Sequence, residues 1–423
     1  MLGLLVRWGK FVPYATIDFA ASGPFQPPPV PAVSSSASAD KISWGNSFSA
    51  AVSRSGLGAG LRQWRWLRRM ARGKALAQRL QKAPCQYNPE GGFHIITAIE
   101  GINGLARANR YEIARLASIA GNRLSCSPEA ASNFLILGQP KNYCKLLAAP
   151  PKGFREGYRI GLWVTEFETA PPDWEFAFDI VHEIWTPSSF SAEAIRRVTS
   201  LPVAVVPHAV TVPDVKPMSR SRFGIGDDQF LGMGIMDLSS CPARKNPLAH
   251  VRAWKLAFGD DRGAHLLMKV RFSKRTKFAR EELIREIGNA PNISLIEAAF
   301  GDLDMTAFQR MADVYLSLHR AEGYGLNIHE MLEIGTPVIA TGWSGNMDYM
   351  PKYLHAIALP FKLVPYSDRT FRFHGDGLRW AEANLEAAAC ALREVRQKQQ
   401  VARTALSVTE AANRVSLNGR VAA

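Results

Sequence analysis

The sequence predicts an α/β protein built on two doubly wound parallel sheets, and three observations support this. From about residue 91 onward, short apolar strands alternate with amphipathic helices. The alternation is interrupted by the proline-containing segment 211–218 and then begins again. The 423 residues are 47% hydrophobic, enough apolar material for more than one core. A ligand of such a protein is expected at the carboxyl ends of the strands, in the crevice between the units.

The predicted elements divide the chain into four regions. Strands of the first unit are expected at 93–100, 133–138, 159–164, 183–187 and 203–207, with helices over 106–120 and 191–199. Strands of the second unit are expected at 230–236, 265–270, 293–296, 314–318 and 337–340, with helices over 246–258 and, near the end, 379–400. The domains are therefore a basic extension (1–90), a first Rossmann-like domain on the acceptor side (91–212), a second Rossmann-like domain that binds the donor (213–375), and a terminal helix and tail (376–423).

The extension carries most of the excess positive charge. The whole chain has a net charge of +14, yet 12 Lys and Arg stand against two acids before Glu90. Segment 23–39 is rich in Pro, Ser and Ala and is typical of a linker. Segment 60–82 predicts a basic helix with arginines beside Trp64 and Leu67. Such a helix either lies on an anionic membrane surface or is a solvated helix or one docked on the first domain.

Composition also excludes several classes of protein. The five cysteines are scattered and none forms a C-x-x-C pair, so neither a disulfide framework nor structural zinc is expected. The sequence contains no run of about 18 apolar residues, so no membrane span is expected. Beyond the extension the charge is ordinary, so nucleic acid is not expected as a partner. We therefore expect a cytoplasmic protein, either free or peripheral on the inner face of a membrane.

The strongest motif lies in segment 314–350. A strand is expected to end near Leu318, so that Glu322 lies on the loop at the carboxyl edge of the sheet. A glycine-containing turn follows, and a helix begins at Leu326, whose free amides suit a phosphate. Glu330, four residues later, lies on the same helical face and can accept hydrogen bonds from a ribose diol. The remaining candidates of this stretch are Tyr324 and Gly325 in the turn, and Gly345 and Asn346 in the loop after the next strand.

A further motif, which is basic, lies in segment 239–247 between a predicted strand and a predicted helix. Arg244 and Lys245 directly precede Asn246 and Pro247, and Pro is favoured in a first helical turn. Two cations near a helix N-terminus can neutralise a leaving diphosphate. The alternative interpretation is a solvated basic turn.

Gly104, Glu166 and the pair Asp302 and Asp304 are further candidates for function. Gly104, in the turn 101–110, allows close approach of a ligand to the backbone, and alone it would equally open a dinucleotide-binding oxidoreductase. That class requires an acid about 20 residues later, and none is well placed. Glu166 follows a strand of the first domain and faces the crevice, where it would contact a sugar. Asp302 and Asp304 form a D-x-D pattern, but Asp304 is expected to cap a helix, so no metal is expected.

Segment 314–350 resembles the E-x(7)-E motif of retaining GT-B glycosyltransferases, and its E-G-Y-G-L wording fits that family. Segments GLWVTEF, FDIVHEIWTPSSF, ARKNP and SGNMDYM look like a bacterial, family 4-like subgroup. The resemblance implies that Glu322 contacts the transferred sugar, Glu330 the ribose and Lys245 the diphosphate. It departs from the family pattern at Ser239, often an arginine, and at Ala106, usually a glycine.

The resemblance implies a GT-B fold whose two domains face each other across a cleft. It also implies transfer of a sugar from a nucleotide-sugar donor to a lipid-linked or polysaccharide acceptor, with retention and without a metal or cofactor. The alternative is an inactive, glycosyltransferase-like protein that serves as a membrane-associated assembly partner.

Overall fold

The fold contains two parallel sheets with helices on their faces, which confirms the predicted fold class of two Rossmann-like α/β domains. The computed structural model describes residues 64–97, 104–120, 131–239, 241–370 and 377–421. Within these ranges, no helix is both long and apolar enough to cross a membrane. The predicted linker 23–39 and the start of the basic helix lie outside the described residues.

The first sheet has five parallel strands in chain order. They are β1 (Gly92–Thr97), β2 (Ala131–Leu137), β3 (Tyr158–Leu162), β4 (Glu183–Thr186) and β5 (Val203–Val205). The helices are α1 (64–79), α2 (Gly104–Ala120), α3 (Tyr143–Leu146) and α4 (Ser189–Arg196). Because side chains alternate along a strand, Leu135 packs with Leu116 of α2 on one face, while Phe134 packs with Leu76 and Leu80 near the end of α1 on the other.

Helix α1 docks on the first domain from Arg69 onward. Arg69 forms an ion pair with Asp173 at 3.0 Å, and the Arg79 guanidinium donates to the Leu147 carbonyl at 2.7 Å. The Lys82 ammonium, just beyond α1, donates to the carbonyls of Phe178 and Val181 at 2.9 and 2.8 Å. The interpretation of a docked helix is thus confirmed for this face.

The second sheet has six parallel strands in the order β11-β10-β9-β6-β7-β8. Its strands are β6 (Phe230–Asp237), β7 (Ala264–Arg271), β8 (Ile293–Ile296), β9 (Val314–Ser317), β10 (Val338–Thr341) and β11 (Ala356–Leu359). Its helices are α5 (Pro242–Lys245), α6 (Pro247–Phe258), α7 (Lys277–Ile287), α8 (Asp302–Gln309) and α9 (Leu326–Ile334). From β6 the chain winds outward to β8 and then returns to β9 on the other side of β6. The sheet therefore has its topological switch point between β6 and β9, where ligands of open α/β sheets bind.

Three local predictions are corrected by the structure. Residues 379–383, predicted as helix, form β13 (Arg379–Ala383), which pairs antiparallel with β12 (Phe361–Pro365). Helix α10 (Leu385–Val421) starts only after it, where the Asn384 side chain accepts a hydrogen bond from the Ala387 amide at 2.8 Å. Asp304 is not an N-cap, because α8 already begins at Asp302 after Gly301. Strand β11 was missed, because its four residues include only one that is buried.

Candidate functional site

The switch point brings the two charged motifs of the second domain into contact. Arg244 and Lys245 end α5 after β6, and Glu322 lies on the loop after β9. The Arg244 Nη1 donates to Glu322 Oε2 at 3.1 Å, and the Lys245 Nζ donates to Glu322 Oε1 at a still closer distance. These side chains are only 10 to 18% exposed. The two cations predicted to hold a diphosphate and the acid predicted to contact a sugar thus form one buried cluster.

The charge state of Glu322 follows from these contacts. Burial alone raises the pKa of its carboxyl, but the charges of Lys245 and Arg244 outweigh burial and lower the pKa to about 2. Glu322 is therefore an anion at neutral pH. It can accept hydrogen bonds and stabilise positive charge, but it cannot donate a proton.

The first domain reaches this cluster through the loops after β3 and β4. Glu166 Oε1 lies 3.7 Å from Arg244 Nη2. The Ser188 hydroxyl donates to the Gly323 carbonyl at 2.6 Å. A Cβ on Gly323 would stand 2.0 Å from the Val164 side chain, so only glycine permits this approach. The predicted position of Glu166 at the crevice agrees with these contacts.

The turn between Glu322 and α9 has the geometry expected for a close backbone approach. Gly325 has a φ of 85°, in the left-handed region that favours glycine. The Tyr349 hydroxyl lies 2.9 and 2.7 Å from the carbonyl oxygens of Tyr324 and Gly325 and so stabilises the turn. Helix α9 begins at Leu326, as predicted, and no side chain caps its N-terminus. Its first amides thus suit an anionic ligand.

The loop after β10 supports the turn. The Gly345 amide donates to the Glu322 carbonyl at 2.9 Å, and a Cβ on Gly345 would stand 2.2 Å from the Gly323 carbonyl oxygen. The Asn346 side chain is fully buried, and its amide donates to the Thr341 carbonyl at 2.9 Å. Both predicted residues are therefore beside the site, with the Asn346 side chain bonded to its own loop.

Glu330 has a full set of protein partners. It is 0% exposed, and its carboxylate lies 2.9 Å from the Arg107 Nε, 3.1 Å from the Tyr111 hydroxyl and 2.9 Å from the Gln309 amide nitrogen. Sequence reasoning missed these three partners. The spacing of Arg107 and Tyr111 carries a signal, since residues four apart share one face of α2. Burial raises the pKa of Glu330, although Arg107 opposes the shift.

Further contacts of α2 place the remaining candidates. Arg110 forms a two-point ion pair with Asp302, with Nε–Oδ2 and Nη2–Oδ1 distances of 2.8 and 2.7 Å. Gly104 begins α2, while residues 98–103, which include the start of its motif, lie outside the described ranges. In the part of the chain that the structure describes, no group of three or more His, Cys, Asp or Glu is arranged to hold a metal ion.

Comparison with known proteins gives similarities of fold among solved structures. No family model matches the chain, and no curated protein matches it. WaaG, a glycosyltransferase involved in lipopolysaccharide biosynthesis, is 14% identical with a TM-score of 0.47, over 72% of this chain and 90% of WaaG. The UDP-forming α,α-trehalose-phosphate synthase from Burkholderia xenovorans is 12% identical with a TM-score of 0.45, over 77% of this chain and 78% of the synthase.

Longer proteins also match. The pneumococcal O-GlcNAc transferase GtfA, crystallised with UDP and GlcNAc, is 15% identical with a TM-score of 0.41, over 63% of this chain. The chain spans about half the length of GtfA and of S. aureus TarM, 50% and 52% respectively.

Proposed function

We propose that the protein is a retaining glycosyltransferase that transfers a sugar from a nucleoside-diphosphate donor to a glycan or lipid-linked acceptor. The observation that carries the proposal is the buried cluster of Glu322, Lys245 and Arg244 at the switch point, next to the uncapped N-terminus of α9. A site with an acid, two cations and free helix amides has groups for both halves of a sugar diphosphate.

Each group has a role in that reaction. As the bond between sugar and diphosphate breaks, negative charge develops on the leaving oxygen and positive charge on the sugar. Lys245, Arg244 and the amides of α9 would stabilise the leaving diphosphate. Glu322, with its pKa near 2, would orient sugar hydroxyls as an anion. Glu166 would contact the acceptor or the donor sugar from the first domain.

One departure from the family pattern has a structural counterpart. Ser239 stands where the family often has an arginine. The Arg271 Nη2 lies 2.7 Å from Asp237 Oδ2 and 3.4 Å from the Ser239 hydroxyl. A guanidinium from β7 is thus present beside the substituted position, which favours an active enzyme over the inactive assembly partner.

Binding of a donor requires an exchange of partners. Lys245 must turn from Glu322 toward a phosphate, and a ribose can reach Glu330 only if Tyr111 and Arg107 leave it. Because both of these residues belong to α2, donor binding would move α2 away from α9. Separation of the domains would then admit the donor, and closure over it would exclude water.

The exposed face of α1 supports a membrane-bound acceptor. Arg65, Arg68 and Arg72 are exposed at helical spacing, while Leu76 and Ala77 are buried against the first domain. An arginine stripe on a docked helix suits anionic lipid headgroups. We therefore propose that the protein acts in the cytoplasm, at the inner face of a membrane.

The proposal is tested by donor turnover. We expect the wild type to release a nucleoside diphosphate from one nucleotide sugar, and we expect NMR of the transferred sugar to show an unchanged anomeric configuration. Glu322→Gln should abolish turnover, whereas Glu286→Gln, at a surface ion pair with Arg252, should not. A wild type that neither hydrolyses nor transfers any sugar of a donor panel would favour the inactive assembly partner, and inversion would overturn the retaining mechanism.

A further inference from the structure

A strained asparagine directly follows Lys245. Asn246 has φ and ψ of 52°, in the left-handed region, at the junction where α5 ends and α6 begins. Among the described residues, only Asn246 and Ser344 combine a side chain with a positive φ. Both adjoin the Glu322 cluster, since the Ser344 hydroxyl accepts a hydrogen bond from the Glu322 amide at 2.9 Å. Such strain persists only where the surrounding structure imposes it.

The Asn246 side chain is held by the strand β13. Asn is a favoured N-cap residue, yet this side chain does not cap α6. Its Nδ2 instead donates to Glu382 Oε1 at 3.0 Å, and Asn246 is 4% exposed. The second carboxylate oxygen, Glu382 Oε2, accepts from the Arg320 Nε at 2.6 Å. Glu382 therefore ties the junction of α5 and α6 to the loop that follows β9.

Arg320 holds the same turn by its backbone and its side chain. Its amide donates to the Arg244 carbonyl at 2.8 Å, and its Nη1 donates to the Ala243 carbonyl at 2.7 Å. The guanidinium lies 5.4 Å from the centre of the Trp380 ring, and the Arg320 carbonyl accepts from the Ala381 amide at 2.9 Å. Arg320 is thus fixed by β13 and in turn fixes the carbonyls of α5.

Helix α5 needs this external support. It has four residues and forms a single turn, in which the Asn246 amide donates to the Pro242 carbonyl at 3.0 Å. One turn is unstable by itself, because the cost of nucleating a helix is offset only over a longer length. The direction in which Lys245 leaves the backbone is therefore set from outside α5. Catalysis is sensitive to such placement, since a shift of about 1 Å can cost about 100-fold in rate.

We propose that Glu382, together with Arg320, is a positioning residue that places Lys245 against the leaving diphosphate. Both residues act through the Asn246 junction and do not contact the donor. A carboxylate suits this role, because its two oxygens accept from the guanidinium and from the asparagine amide at the same time. The inference rests on the proposed function and adds to it a group that lies outside both charged motifs.

The test is a double-mutant cycle of steady-state kinetics with the preferred donor. Glu382→Ala should lower kcat by about 10- to 100-fold, because the lysine is displaced. In the Lys245→Met background the same change should have little further effect, since no ammonium remains to be placed. A purely structural role of Glu382 would instead lower kcat by the same factor in both backgrounds.

A second variant separates the side-chain contact from the backbone strain. Glycine adopts a φ of 52° without strain, so Asn246→Gly keeps the junction and removes only the bond to Glu382. We expect the same loss of kcat as in Glu382→Ala, without a fall in melting temperature. The control is Glu286→Ala, because Glu286 also accepts from an arginine, Arg252, at 3.0 and 2.8 Å on the surface. Its kcat should equal that of the wild type.

The remaining results separate this inference from the proposed function. Unchanged kcat in Glu382→Ala or in Asn246→Gly would overturn the inference and leave the proposed function intact. An equally large loss from Glu382→Ala in the Lys245→Met background would do the same. A wild type that turns over no donor of the panel would overturn the proposed function and this inference with it.

Discussion

Glu322 and Glu330 are eight residues apart, one 13% exposed and the other 0%, yet their environments push their pKa values in opposite directions. Two cations from α5 lower the pKa of Glu322, whereas burial dominates at Glu330 and raises its pKa. The two positions therefore have different chemistry. Glu322 is a fixed anion beside Lys245 and Arg244, and Glu330 is a hydrogen-bond acceptor that Arg107 and Tyr111 contact from the opposite domain.

Replacement of Lys245 by Met should reduce turnover. Loss of one group that stabilises a leaving anion typically costs about 100- to 1,000-fold in kcat, and we expect that range here. The control is Lys277→Met, at an exposed lysine paired with Glu281 on α7. Steady-state kinetics with the preferred donor measure the effect. Unchanged kcat in Lys245→Met would contradict the role of this lysine in leaving-group stabilisation.

The ion pairs of Glu322 should make stability depend on pH in the acidic range. A carboxyl whose folded pKa lies below its unfolded value stabilises the fold above the unfolded pKa, and this stabilisation is lost as pH falls through the folded pKa. For Glu322 the window runs from 4.5 to about 2. This difference between the unfolded and the folded pKa corresponds to roughly 3 kcal/mol of unfolding free energy. Urea unfolding should show the difference between wild type and Glu322→Gln shrinking across this window; a constant difference would contradict the shift.

Much of the cluster around Glu322 could be predicted from the sequence. Glu322, Arg244 and Lys245 each follow a predicted strand, and carboxyl ends of parallel strands meet at one edge of a sheet. Two of the partners of Glu330, Arg107 and Tyr111, could not be predicted because they belong to the other domain. Only the packing of α2 against α9 brings them within 3.1 Å.

At the scale of single elements, the turn that leads into α9 depends on Gly325. Its φ is 85°, and a Cβ there would meet the Tyr349 hydroxyl at 2.9 Å. Gly325→Ala should lower the unfolding free energy by about 2–4 kcal/mol, from backbone strain and overpacking together. Gly335→Ala is the matched control, because φ is 87° and nothing lies near its Cβ position. If denaturant unfolding showed equal losses of unfolding free energy in both variants, close packing at the turn would contribute nothing to stability.

Helix α2 should compete with the donor for Glu330. Tyr111→Phe removes one hydrogen bond that the donor must break, worth about 1 kcal/mol, so the affinity for the preferred nucleotide should rise several-fold. Tyr158→Phe is the control, since Tyr158 also donates to a glutamate at 3.1 Å, within the first domain. Calorimetric titration measures both. Weaker binding to Tyr111→Phe would mean that Tyr111 contacts the donor and does not compete with it.

Element boundaries in the second domain illustrate the limits of prediction from a pattern. Helix α9 was placed correctly because glycines and a strand define its start. Strand β13 was assigned to a helix because Trp380, Ala381 and Ala383 are compatible with both periods. Pairing with β12 and packing of Trp380 against Phe167 and Tyr366 favour the strand over the helix. Both of these contacts come from outside the segment 379–383.

At the scale of the whole molecule, the docked helix α1 should direct the protein to anionic membranes. Changing Arg65, Arg68 and Arg72 to Gln should weaken binding to anionic vesicles by about 100-fold, at about 1 kcal/mol for each arginine. The control changes Lys277, Arg285 and Lys398, three exposed cations of the second domain and the terminal helix. Vesicle co-sedimentation at low and high salt measures the effect. Equal losses of vesicle binding in both triple variants would contradict a specific role of α1.

The central claim is that the two domains enclose a nucleotide-sugar site built on Glu322, Lys245 and Glu330. The most direct measurement is a thermal-shift panel of nucleoside diphosphates and nucleotide sugars on the wild type and on Glu330→Gln. We predict that one nucleotide raises the melting temperature of the wild type and that the rise is largely lost in the variant. Absence of stabilisation by any nucleotide would contradict the claim, and an equal rise in Glu330→Gln would contradict the assignment of Glu330 to the ribose.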